Sequence, residues 1–183
     1  MNIAWHFTSD KLRDGSPIPA IGEKLIFNGK IEICKQGYHW SKEPFDALRY
    51  SPGNMLHMVE YGGDIQEKKD KGCSSERTIL KSLDATYLLR RFAADQALSV
   101  AYLWDMPEVV KEYLTTLNET NRAAARAAAN SAAYAPYAPY AAAPYAAYAA
   151  AAYAAAAYAS NSAARAADVR VGFNRRVYEA FNN

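Results

Sequence analysis

The first third of the chain alternates in short bursts, and the rest repeats on a helical period. Ile3–Thr8 is apolar and aromatic enough for a strand. Gly15, Pro17, Pro19 and Gly22 mark a loop. Leu25–Phe27 and Ile31–Ile33 flank Asn28-Gly29, which predicts a hairpin with a type I′ turn. Gly37–Ser41 reads as a short extended piece, and Glu43–Tyr50 as a helix with Pro44 in its first turn. Ser51–Asn54 is a turn, and Met55–Tyr61 a strand ending at Gly62-Gly63. Ile65–Gly72 reads as a charged loop, and Thr78–Leu83 as the strand that closes the sheet.

From Asp84 the period changes. Leu88, Leu89, Phe92, Ala93, Ala97, Val100, Ala101 and Trp104 share one face at 3.6-residue spacing, with Asp84 as cap. Asp105-Met-Pro-Glu108 and Thr116-Leu-Asn-Glu119 are two further helix starts of the capping-box kind. Val169, Val171, Phe173, Val177, Tyr178 and Phe181 form the apolar set of a last helix running through Phe181, with Ser160–Ser162 as its cap. The fold class is therefore α+β: a small mixed or antiparallel sheet with one or two helices over residues 1–83, then an alanine- and tyrosine-rich helical region over 84–183, folded as a bundle or arm.

Composition sharpens the second half. From Thr120 to Ala167 the only charges are Arg122, Arg126 and Arg165. Alanine is the best helix former but buries little area, so tyrosine must supply most of the contact surface. Proline removes a helix donor and clashes with the preceding turn, so Pro136 and Pro139 predict a break near Ala135 and Pro144 a restart. Tyr145, Tyr148, Tyr153 and Tyr158 spread around the axis, which suits a helix contacted on several sides. One reading is a bundle with these rings packed inside. The other is an exposed recognition surface, for which Tyr134, Tyr137 and Tyr140, beside the prolines, are the partner-binding candidates. Homo-oligomers could also form through the alanine-rich helices.

Charge and cysteine content exclude several classes. A formal net charge of +2 with scattered basic residues argues against nucleic-acid binding. Cys34 and Cys73 make no disulfide framework and no zinc-ligand spacing, so no metal is expected. The uncharged run 127–164 is long enough for a bilayer, but three prolines, many tyrosines and no Leu, Ile, Val or Phe argue against a membrane span. The expectation is a cytoplasmic chain. There is no P-loop, no G-x-G-x-x-G and no nucleophile elbow.

At WHFTSDKLRDGSPIP, CKQGYHWSKEPFDALRYSPG, SERTIL and FAADQALSVAYLWDMPEVVKEYL the chain resembles an uncharacterised family of short phage and bacterial proteins. Those combine an N-terminal α/β domain with an alanine-rich tail. The resemblance implies a phage or mobile-element setting, in the host cytoplasm, and no established reaction. Alanine-rich helices of similar layout occur in immunity proteins, which implies a protein partner, such as a host defence component that the chain would inhibit.

A second resemblance covers the N-terminal part. His6-Phe7-Thr8 on a first strand, Gly37–Ser41 on a second, Pro44 and Ala47 on a helix, and Glu76 on a later strand are similar in order to ADP-ribosyltransferase folds, particularly the RNA 2′-phosphotransferase branch. That likeness implies NAD as cofactor. It implies catalytic roles for His6 and Thr8 on the ribose, His39 on the second strand and Glu76 as the carboxylate at an oxocarbenium-like centre. Position 39 departs from the tyrosine of the commoner branch, with Tyr38 adjacent, and Arg13, Arg49 and Arg77 are the candidates for gripping a nucleotide.

Overall fold

The computed structural model describes residues 2–99, 101–103, 105–134 and 163–182. Five strands form one antiparallel sheet: β1 (Ile3–Thr8), β2 (Lys24–Ile26), β3 (Tyr38–Trp40), β4 (Met55–Glu67) and β5 (Gly72–Asp84). The order is β1-β4-β5-β2, with β3 also pairing β5. The helices are α1 (Pro44–Leu48), α2 (Thr86–Ser99), α3 (Glu108–Thr116), α4 (Glu119–Tyr134) and α5 (Ala163–Asn182), with a 3₁₀ turn at Ala101–Leu103. The α+β class follows from this content. Among the described residues no helix is long and apolar enough to cross a membrane.

The chain divides into two compact units. The first holds residues 1–87 and 170–183; the second holds 88–169. The expected helical region 84–183 is thus split, and Arg170–Asn182 of α5 belongs with the sheet.

In the first unit both faces of β1 are used. Ala4 packs with Val59, Ile79 and Trp40 on one face. Trp5 lies on the other, against Phe181 and Tyr178 of α5 at ring-centroid distances of 5.0 and 5.6 Å. Strand alternation separates these two sets. On α5, Phe173, Val177 and Phe181 recur every four residues and are buried. Phe173 also meets Phe45 of α1 edge-on at 5.8 Å. Polar bonds fix the same helix: Arg170 donates to both oxygens of Asp46 at 2.6 and 2.5 Å, and Asn174 accepts from the Phe45 N–H while donating to Glu43. The sheet curls back on itself, because Ser41, just past β3, exchanges both backbone hydrogen bonds with Trp5.

The predicted Asn28-Gly29 hairpin does not form. Lys24–Ile26 pairs with residues 76–78 of β5, and Ile31–Ile33 is not a strand. Gly29 has no positive φ; Gly37 and Cys34 do, where residues 32–36 turn instead. The long free edge of β5 offers Lys24–Ile26 a complete ladder, which outweighs a local turn preference. Nor is Ile65–Gly72 a loop. β4 and β5 are thirteen residues each, joined by a short turn in which the Lys68 N–H bonds the Lys71 carbonyl. Gly62 and Gly63 carry the strand through a register shift rather than ending it, with Gly63 at φ +68. Gly72 lets the Trp40 ring lie against the backbone, where a Cβ would overlap it. That placement stacks Trp40 on Tyr61 at 3.7 Å.

In the second unit, the side chain of Arg91 donates to the Leu114 and Thr115 carbonyls at 2.7 and 2.8 Å, closing the last turn of α3. Arg90 bonds the Tyr113 hydroxyl at 3.1 Å and pairs with Glu119. The two predicted capping boxes start elsewhere than expected. Pro107 is extended, at ψ 140, so α3 begins after it rather than at Asp105. Leu117 ends α3 in the left-handed region, and Asn118 takes over as cap by accepting the Thr120 N–H at 3.0 Å. The predicted helix from Asp84 to Trp104 ends at Ser99, although Asp84 does accept the Thr86 N–H at 2.9 Å. The tyrosines from Tyr137 to Tyr158 and the break and restart predicted at the prolines lie outside the described residues. Tyr134 is the last residue of α4.

Candidate functional site

Polar groups collect on the sheet face that holds Ala4, Val59 and Ile79. His6 and His57 are register partners across β1 and β4, and Ser82 pairs His57 on β5. Alternation along β1 puts Thr8 on the same face, two residues beyond His6. His57 is 1% exposed. Its Nε2 lies 2.9 Å from Thr8 Oγ1 and its Nδ1 2.8 Å from Ser82 Oγ. His6 is half-buried. Burial pushes it well below its usual pKa, with the charge of Arg77 adding to the effect. His57 is pushed down to about 4 by burial and then by Arg77. Both imidazoles are therefore neutral at pH 7.

Arg77 sits on the same face, two residues from Ile79 along β5, and opposite Tyr61 and Leu25. It is 3% exposed. Its Nη1 donates to the His39 carbonyl at 3.0 Å, and the guanidinium lies 5.2 Å from the Tyr38 ring centre. Its Nε has no hydrogen-bond partner. Burial lowers its pKa to about 10, still well above neutrality.

The four residues implied by the transferase resemblance do not all share one face. His6 and Thr8 share the face of Arg77. Glu76, next to Arg77, points to the opposite face, where it pairs with Lys24 at 2.6 Å. His39 alternates with Tyr38 and Trp40, so its ring leaves the face that Trp40 shares with Ala4. Its Nε2 accepts the Cys34 N–H at 2.7 Å, and its pKa is lowered by burial and by Arg13. Thr8 is taken up too: its hydroxyl bonds the Ser9 carbonyl at 3.0 Å as well as His57. Of the three candidate arginines, Arg77 alone joins this face. Arg13 donates to the Cys34 carbonyl at 3.2 Å, and Arg49 faces Asp70 at 3.5 Å.

Sequence reasoning missed His57 and Ser82, and it gave Arg77 no priority over the other two arginines. The signal for His57 was available. It shares a face with Val59, which packs in the core, and a polar residue there needs partners. The Ser82 pairing depends on the register shift between Met58 and Val59, which no spacing reveals.

Residues 3–91 match the model of a family described as a domain of unknown function (DUF7666). No curated protein matches the chain, and no solved structure matches it.

Proposed function

We propose that this chain is a phage or mobile-element accessory protein that acts in the host cytoplasm by binding a protein partner, and that it inhibits a component of a host defence system. The setting rests on the resemblance of residues 5–19, 34–53, 75–80 and 92–114 to phage and bacterial proteins. The observation that carries binding over catalysis is Glu76. It is held by Lys24 on the face opposite His6, so the carboxylate and the ribose-gripping pair of a transferase do not meet at one substrate.

The partner contact is assigned to Tyr134, Tyr137 and Tyr140. The experiment is co-purification from host cells, followed by reconstitution with the purified partner. A saturable complex weakened at least tenfold by the triple change to Ala supports the reading. A complex unaffected by that change removes the tyrosine assignment. Failure of every purified candidate to form a saturable complex removes the binding reading itself.

A further inference from the structure

We propose that Arg77 is the anchor of a binding site for a small oxyanion group, a carboxylate or phosphate. The argument begins with an imbalance of charge. Arg77 is 3% exposed, and among the described residues no carboxylate pairs with it. The neighbouring Glu76 is turned away and held by Lys24. The Tyr38 ring lies against it, the two neutral histidines, His6 and His57, share its face, and the buried Cys73 thiol also lies within its field. An ion buried without a counter-charge costs several kcal/mol, and an apolar residue of the same volume would avoid that cost.

The geometry of the guanidinium says which ligand would offset the cost. Nη1 is used by the His39 carbonyl. Nε–H has no partner, and with the adjacent Nη2 it forms the edge that takes two oxygens of a carboxylate or phosphate side by side. The Tyr38 ring against the guanidinium holds the fork in place.

The test is thermal unfolding of the full chain in sodium phosphate or sodium acetate, each against sodium chloride at equal ionic strength. The predicted result is a saturable rise in Tm of about 5 °C at 100-fold excess over Kd, for one or both anions. The better anion identifies the ligand class. Arg77→Met should lose that rise and, without anion, melt no lower than the parent. A rise of equal size in Arg77→Met, or no saturable rise with either anion, overturns the proposal. Should Arg77→Met fail to fold, the Arg77 Nε–H resonance of the unaltered chain decides it: a saturable shift on adding the anion supports the site, and an unmoved resonance overturns it.

Discussion

Thr8 Oγ1 and His57 Nε2 lie 2.9 Å apart across β1 and β4, and a neutral imidazole can complete every bond around them. The Thr8 hydroxyl proton goes to the Ser9 carbonyl at 3.0 Å. With that proton so placed, the Nε2–H tautomer donates to Thr8 and accepts at Nδ1 from the Ser82 hydroxyl, 2.8 Å away. This chain of bonds is complete with a neutral ring. It explains how a histidine can sit in the wall of a small sheet beside a buried arginine.

Stability should therefore depend on pH in one direction. His57 titrates near 6.5 when unfolded and at about 4 when folded, and His6 is also pushed down. Between those values the unfolded chain binds more protons, so stability is full above pH 6.5 and falls as pH drops toward 4. His57 alone should remove about 3 kcal/mol across that window. Urea midpoints at pH 7.5, 5.5 and 4.5 check this, and a flat series would refute it.

The sheet unit should depend on α5. Phe173 is fully buried against Phe45, and Phe173→Ala should cost about 3–5 kcal/mol. Val171, 65% exposed on the same helix, should tolerate alanine within about 0.5 kcal/mol. Denaturant unfolding of both variants checks the contrast, and equal losses would contradict the packing described.

Asp46 is buried, and its carboxylate is held by Arg170, whose own side chain is 40% exposed. Arg170→Ala leaves that carboxylate without its main partner, at a cost of about 1–3 kcal/mol. Asp46→Asn in the Arg170→Ala background should restore part of the loss, because the remaining group is neutral. A double-mutant cycle with no coupling would count against the pair.

At Gly72 any Cβ meets the Trp40 ring. Gly72→Ala should displace Trp40 from its stack on Tyr61 and cost about 1–3 kcal/mol. Near-ultraviolet circular dichroism should lose its aromatic signal in step with the lower Tm. An unchanged spectrum would show that the ring has room.

Much of the fold can be read from period and punctuation. Ile3–Thr8, Pro44 at the first position of α1 and the four-residue spacing of Phe173, Val177 and Phe181 all appear in the sequence as local patterns. What could not be read was pairing. Asn28-Gly29 carries a strong turn preference, yet the β5 edge captured Lys24–Ile26 from a distance. Gly62-Gly63 looks like a strand end and is a register shift. The candidate site depended on the same information. His6, Thr8 and Glu76 are legible as residues, but which face each occupies follows from register, and register put Arg77 rather than Glu76 on the face of His6.

Under the proposed function the chain binds a partner and does not transfer a group from NAD. Incubation of the purified protein with NAD labelled in its ADP-ribose portion, in the presence of host lysate, tests it most directly. The expected result is no label transferred above background, and no difference between the parent, His6→Ala and Glu76→Ala. Transfer by the parent that both substitutions abolish would contradict it, because it would require Glu76 to leave Lys24 and reach the face of His6.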